Sequence, residues 1–168
     1  EFDSVVNTQN IDLGADQFLT RDVVYREGQI RVQHENSYSL VCAHLSQMGP
    51  TSSAHATASL LVKFQPKILI MTGICGGLAG KTQIGDLVIA QKSWDWQAGK
   101  WTPDGFQIAP EQQDASSELI NIAHNLNGAI ESFYEHYTHA KPKNIPVMHF
   151  GPMVSGSAVM ADKEMQIK

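Results

Sequence analysis

Positive charge, cysteine and long apolar runs are all scarce in this chain of 168 residues. Lysine and arginine number 12 against 17 acidic residues, and the net charge of −5 disfavours a nucleic-acid binder, which would present a basic face. No apolar run approaches the roughly 18 residues of a membrane span. The two cysteines, Cys42 and Cys75, are typical of a reducing compartment. We therefore expect a cytoplasmic protein with no membrane partner and with two buried thiols rather than a disulfide.

The composition is that of an ordinary globular domain, with 42% hydrophobic and 17% charged residues. A chain of this length can bury a substantial core. It opens at Glu1 without a methionine and stops at Lys168 in a polar stretch. The expectation is a single domain over residues 1–168 that is incomplete at the C-terminus and also at the N-terminus.

Local patterns alternate between strands and helices. The N-terminal half predicts a hairpin over 22–33 with its turn at Glu27-Gly28, a strand over 38–45, and a helix from Thr51 or Ser52 to Pro66. The continuously apolar run 67–73 predicts a strand buried on both faces, as in a covered parallel sheet.

The C-terminal half continues this alternation. It predicts a strand over 85–91, a helix capped by Asp114 and interrupted at Gly128, and a last strand over 147–156. The order favours an α/β fold with a mixed, mostly parallel central sheet flanked by helices.

A glycine-rich turn, residues 73–77, follows the apolar run 67–73. Ligands of open α/β sheets collect at the carboxyl ends of strands, and glycines there let backbone N–H groups approach a ligand. The turn has neither the lysine of a phosphate-binding P-loop nor the spacing of a dinucleotide fingerprint. From the glycines alone, a ligand cradle and a plain strand-exit turn both remain open.

Two blocks of sequence resemble the nucleoside phosphorylase superfamily, which includes the methylthioadenosine/S-adenosylhomocysteine nucleosidases. The first, MTGICGGLAGKTQIGDLVIAQ, matches at Thr72, Gly73, Gly76, Gly77, Gly85, Asp86 and Val88. The second, GPMVSGSAVMADKE, matches at Gly151, Ser155 and Gly156. Weaker likenesses, at QMGPTSSAHATASLL and EFDSVV, keep the superfamily's order. The resemblance implies its fold, a small-molecule nucleoside substrate and a homo-oligomer.

The branch of the superfamily is indicated by what stands in the glycine-rich segment. Phosphorylases resemble one another in carrying an arginine and a hydroxyl residue there to hold phosphate, and this chain has Met71 and Ile74 at those positions. Neither side chain can bind an anion as a guanidinium does. The resemblance therefore implies a nucleosidase, which uses water to release the free base from a purine nucleoside or nucleotide.

The resemblance also implies site residues. Glu1 is the candidate catalytic carboxylate that orients water. The sugar side of the pocket would be lined by Ile74, Cys75 and Gly76, and the base side by Ser155, Val159 and Met160. The superfamily's late acidic motifs, which bind ribose and protonate the base, do not occur in this sequence. A phosphate-dependent phosphorylase and an inactive nucleoside-sensing module are therefore the alternatives.

Other polar and aromatic residues are interpreted more simply. Asp86 is predicted to fix turn geometry and to hydrogen-bond a neighbouring loop. Trp94, Asp95 and Trp96 would line the pocket or a subunit interface. Packing of a long loop by the three tryptophans is the alternative. His136 and His139 lack a metal-binding pattern, so we expect no metal and no cofactor.

Overall fold

The structure is a computed structural model, and it describes residues 10–32, 37–109, 111–138 and 140–157. These residues fall into two compact units, the first ending at Ile74 and the second beginning at Cys75. Each unit contains both sheet and helix, which confirms the α/β class predicted from the sequence. Within the described ranges, no helix is both long and apolar enough to cross a membrane.

The first unit is a four-stranded antiparallel sheet and one helix. Its elements are β1 (Ile11–Leu13), β2 (Gln17–Thr20), β3 (Val23–Arg31), β4 (Ser37–Leu45) and α1 (Pro50–Phe64). The long strand β3 pairs with β4 along its whole length, and with β1 and β2 on the opposite edge.

The hairpin predicted over 22–33 is wrong. Glu27 and Gly28 lie in the middle of β3, and Gly28 pairs with both Leu13 and Leu40. A strand whose two edges are both occupied gains ladder hydrogen bonds on each side, and a turn at this point would forfeit them. The sequence Glu27-Gly28 is typical of a turn, but pairing of β3 with strands on both of its edges keeps these residues extended.

The core of the first unit lies between β3 and α1. Val23 and Tyr25 of β3 are 1% and 2% exposed, and Ala56 of α1 is 2% exposed. The ring of Tyr25 meets that of Phe64 edge-on at 5.2 Å. The Nζ atom of Lys63 lies 4.2 Å from the centre of the Tyr25 ring, so the C-terminal turn of the helix is fixed over the sheet.

Helix α1 confirms the predicted helix with a small shift at its start. Gly49 is the N-cap, and Pro50 occupies the first position, where proline costs no hydrogen bond. The helix ends where Gln65 adopts a left-handed conformation and donates its N–H to the Leu61 carbonyl at 3.0 Å. The stop before Pro66 is as predicted.

The buried strand predicted over 67–73 is absent from the structure. These residues form neither strand nor helix, and the side chains of Leu69, Ile70 and Met71 are 49%, 71% and 81% exposed. A run of apolar residues becomes a strand only where a neighbouring strand accepts its hydrogen bonds. Sequence composition cannot supply that partner.

The second unit contains a three-stranded sheet, a two-stranded hairpin and two helices. Its elements are β5 (Leu87–Asp95), β6 (Gly99–Thr102), β7 (Gly105–Ile108), β8 (Gln113–Asp114), α2 (Ser117–Leu126), a 3-10 turn (Asn127–Ala129), α3 (Ile130–His136) and β9 (Met148–Ser155). In the larger sheet, β5 is central, with β9 parallel on one side and β8 antiparallel on the other. The predicted strands near 85–91 and 147–156 are both confirmed.

The helices of the second unit lie where the sequence predicted them, but the predicted cap is wrong. Ser116, not Asp114, precedes α2, and its hydroxyl accepts from the Leu119 N–H at 3.5 Å. Asp114 belongs to β8, where its carboxylate lies 3.4 Å from the Lys92 ammonium. The predicted interruption at Gly128 is confirmed as the 3-10 turn between the helices.

The parallel pair β5–β9 contains a register shift. Ala90 pairs with Gly151 and Lys92 with Pro152, which leaves Gln91 without a partner in β9. Proline has no N–H to donate to a ladder, so the irregularity lies where β9 is least able to pair.

Candidate active site

The carboxyl ends of β5 and β9 lie side by side, because parallel strands end at the same edge of a sheet. Asp95, the last residue of β5, pairs with Ser155, the last residue of β9. The Trp96 N–H then donates to the Ser155 carbonyl at 3.1 Å and extends the contact by one residue. Because ligands of open α/β sheets bind at this edge, it is the candidate site.

Two side chains that follow β5 contact the backbone that follows β9. An added Cβ at Gly156 would lie 2.2 Å from Nε1 of Trp96, so only glycine fits under this indole. The Ser157 N–H donates to Oε1 of Gln97 at 2.5 Å. We call residues 95–97 and 155–157 together the strand-exit corner.

Gln97 is itself fixed at its backbone. Its N–H donates to Oδ1 of Asp95 at 2.8 Å, which closes a tight turn after β5. Trp96 was predicted to line a pocket or an interface, whereas Gln97 was missed. No sequence signal could have found Gln97, because its acceptor role depends on where β9 ends.

The amino ends of the same two strands are joined by Asp86. Its Oδ1 accepts from the Val147 N–H, and its Oδ2 accepts from the Gln83 N–H, both at 2.9 Å. His149 Nε2 lies 2.8 Å from Oδ2, and the carboxylate side chain is only 6% exposed. These hydrogen bonds, that from Val147 first, lower the pKa of Asp86 to about 2. The structural role predicted for Asp86 is confirmed.

The glycine-rich turn is exposed. Ile74, at the end of the first unit, is 88% exposed, and Cys75 and Gly76 at the start of the second are exposed as well. The expected burial of Cys75 is therefore wrong, and Cys42 is half-buried. An exposed thiol is consistent with residues 75–77 forming no strand.

The two neighbouring glycines of this turn differ in their surroundings. An added Cβ at Gly77 would lie 2.0 Å from Oγ1 of Thr82, because the chain turns back at Leu78, whose carbonyl accepts from the Thr82 N–H at 3.1 Å. At Gly76 no atom of the residues that the structure describes lies within 4 Å of such a carbon. Gly77 is required by the turn, whereas the space beside Gly76 is open to a ligand.

The structure does not bring all predicted site residues together. Ser155 belongs to the strand-exit corner and does not lie within 4 Å of a Cβ added at Gly76. Glu1, Val159 and Met160 lie outside the described residues. Their roles stay predictions.

None of the arginines of the chain lies in the glycine-rich segment. They are Arg21, Arg26 and Arg31, all in or beside β3 of the first unit. The Arg26 Nε atom lies 2.5 Å from Oδ1 of Asp16, and the Arg31 guanidinium lies 3.7 Å from the Asp12 carboxylate. The described ranges contain no cluster of three His, Cys, Asp or Glu side chains that could hold a metal ion.

Comparison with solved structures supports the fold. The chain is similar to a futalosine hydrolase mutant of Helicobacter pylori strain 26695, with a TM-score of 0.63 and 16% identity. The match covers 99% of this chain and 66% of that one. At this identity the likeness establishes a shared fold.

Curated relatives match over most of the chain. An uncharacterized protein of Sinorhizobium fredii is 32% identical over 77% of this chain and 33% of its own length. A death domain-containing ATP nucleosidase of Amphimedon queenslandica is 27% identical over 73% of this chain and 25% of its own length. The chain thus spans a quarter to a third of these relatives.

The family model for the phosphorylase superfamily matches residues 15–168. That range includes the glycine-rich turn and the strand-exit corner, the two places where the sequence blocks had pointed. The chain belongs to the phosphorylase superfamily.

Proposed function

We propose that this chain is part of a nucleosidase that hydrolyses the N-glycosidic bond of a purine nucleoside or nucleotide. The observation that carries the proposal is that Met71 and Ile74 occupy the two positions of the glycine-rich segment where phosphorylases carry an arginine and a hydroxyl residue. Both are more than 80% exposed, and neither can donate to a phosphate oxygen. The relative named as an ATP nucleosidase supports the same reaction class.

The reaction makes two demands on the protein. Water supplies the oxygen that bonds to the anomeric carbon, while the bond from that carbon to the purine nitrogen breaks and the purine leaves with a proton. A carboxylate must orient the water, and an acid must protonate the base. Glu1 is proposed for the first role, and no residue of this chain is assigned to the second.

The substrate-binding residues of this proposal come from the glycine-rich turn and from the segment at and after the end of β9. Ile74, Cys75 and Gly76 would face the sugar, with the open space at Gly76 admitting it close to the backbone. Ser155, with Val159 and Met160, would line the base. We also propose that the chain forms a homo-oligomer. Its molar mass in solution, measured by light scattering, tests this.

Product analysis tests this function. Adenosine, methylthioadenosine, S-adenosylhomocysteine and ATP are each incubated with the protein, with and without inorganic phosphate. Free adenine is expected in phosphate-free buffer, together with ribose from adenosine and the matching 5′-substituted ribose from the other three compounds. Ribose 1-phosphate formed only with phosphate would make the protein a phosphorylase instead. Nucleoside binding without any product would indicate a sensing module.

As a control for the phosphate argument, Met71→Arg restores a cation to the segment. We expect this variant to bind phosphate more tightly than the wild-type protein. A matched Leu69→Arg variant adds the same charge two residues earlier and should not have this effect.

A further inference from the structure

We propose that Trp96 and Gln97 are positioning residues that hold Ser155–Ser157 in the conformation that receives the nucleoside. The inference rests on the proposed function for the identity of the ligand. The geometry that carries it lies wholly within the second unit. It assigns a role to the residues after β5, whereas the predicted contacts with substrate come from the end of β9.

The first contact is steric. The indole of Trp96 covers Gly156 so closely that a methyl carbon there would lie 2.2 Å from Nε1 and 2.8 Å from Cδ1. The backbone at Gly156 therefore cannot move toward β5 while the indole is in place. Trp96 is only half-exposed, whereas Trp101 on the neighbouring hairpin is 82% exposed.

The second contact is a hydrogen bond. The Ser157 N–H donates to Oε1 of Gln97 at 2.5 Å, two residues beyond the last pair of the β5–β9 ladder. Beyond that pair the backbone after β9 has left the sheet, so a side chain takes over as acceptor. Together with the Trp96 N–H bond to the Ser155 carbonyl at 3.1 Å, this fixes both sides of Gly156.

The consequence for binding is preorganisation. A backbone segment that is already held in its binding conformation loses less entropy when the ligand arrives. Removing the contact of Trp96 or Gln97 should weaken ground-state binding of the nucleoside. It should raise KM more than it lowers kcat, since neither side chain is assigned to the reacting atoms.

The test compares paired variants of each residue. Gln97→Leu removes the acceptor at similar size, whereas Gln97→Glu retains an acceptor for the Ser157 N–H. Trp96→Ala removes the ring, whereas Trp96→Phe retains an aromatic ring over Gly156. Gln107→Leu and Trp101→Ala are matched controls on the exposed hairpin β6–β7.

Hydrogen exchange of the Ser157 amide, read by NMR, is the direct measurement. Exchange should accelerate roughly three- to tenfold in Gln97→Leu, the range expected for one lost hydrogen bond, and return toward wild type in Gln97→Glu. Unchanged exchange in Gln97→Leu and in Trp96→Ala would overturn the proposal. Because Gln97 is exposed, its variants should fold even if Trp96→Ala does not.

Binding of adenosine, followed by titration calorimetry, separates this proposal from the function itself. A roughly three- to tenfold loss of adenosine affinity in Gln97→Leu, with recovery in Gln97→Glu, supports the positioning role. Faster exchange with unchanged affinity would overturn the link between the strand-exit corner and the ligand. A wild-type protein that neither binds nor cleaves any nucleoside would overturn the proposed function, while the exchange rates would still decide whether the two residues hold this segment.

Discussion

His149 Nε2 lies 2.8 Å from Oδ2 of Asp86, at the end of the β5–β9 pair opposite the strand-exit corner. The same carboxylate accepts the backbone N–H groups of Gln83 and Val147. One side chain thus joins the loop before β5 to the start of β9. The parallel pair is fixed at its amino ends by Asp86 and at its carboxyl ends by the residues after β5.

Asp86→Asn should lower the melting temperature, because an amide offers one acceptor oxygen where the carboxylate offers two. Its NH₂ group would then face a backbone N–H donor. The exposed Asp104→Asn is the matched control, and its melting temperature should stay at the wild-type value. Equal melting temperatures for the two variants would contradict the clamping role.

The stability of the fold should also depend on pH through Asp86. Folding lowers the pKa of this carboxyl from 3.8 to about 2, so its ionised form stabilises the folded state above about pH 4. That contribution disappears as the pH falls from about 4 to about 2. Urea midpoints measured across this range should fall more steeply for the wild type than for Asp86→Asn. Parallel curves would argue against the assignment.

The phenol of Tyr25 should contribute measurably to the first unit. Its hydroxyl donates to Oε1 of Gln17 at 2.8 Å and accepts from the Lys63 ammonium. Tyr25→Phe should lower the free energy of unfolding by about 0.5–1.5 kcal/mol. Tyr38→Phe, at a 62% exposed position, is the control and should have little effect in urea denaturation. A similar loss in both variants would mean that the buried contacts are unimportant.

Ala56 lies where helix α1 is fully covered, so a larger side chain has no space. Ala56→Leu should destabilise the protein by about 1–3 kcal/mol through overpacking. Ala54→Leu, on an exposed position of the same helix, keeps a good helix former and should change the unfolding free energy by less than about 0.5 kcal/mol. If both variants unfold at the same urea concentration, α1 does not pack on β3 as described.

The two glycines of the turn should respond differently to alanine. Gly77→Ala places a methyl group against Thr82 and should destabilise the turn, and a second change, Thr82→Ala, should restore it. Gly76→Ala has free space and should leave stability unchanged while weakening nucleoside binding, if the sugar approaches this backbone. Thermal melts and adenosine titrations of the three variants distinguish these effects. Wild-type nucleoside affinity in Gly76→Ala would show that the sugar does not bind beside Gly76.

Periodicity identified the helices because their apolar residues repeat along one local face. Helices α1 and α2 formed where these repeats occur, and the break at Gly128 followed from glycine's poor helix propensity. Strands were harder to predict because their partners are distant in sequence. Gly28 looks like a turn residue until Leu13 and Leu40 pair with it on either side.

The candidate site was predictable in outline only. Spaced glycines and the Gly-Asp pair at 85–86 identified the family and the role of Asp86. The contacts at the strand-exit corner join residues 60 apart in sequence, such as Ser157 and Gln97. A backbone N–H has no chemical identity that a sequence pattern could reveal, so its acceptor becomes visible only in the folded chain.

Gln91, which has no partner in β9, determines how β5 tolerates changes in its length. Side chains alternate between faces along a strand, so one extra residue reverses the alternation for everything beyond it. Gln91 is already such an extra residue, and deleting it would let Ala90 and Lys92 pair with Gly151 and Pro152 as consecutive residues, with Trp96 still beside Gly156. A residue inserted between Lys92 and Asp95 would instead turn Trp96 away from Gly156, whereas the same insertion in the β6–β7 turn would leave the β5–β9 ladder unchanged.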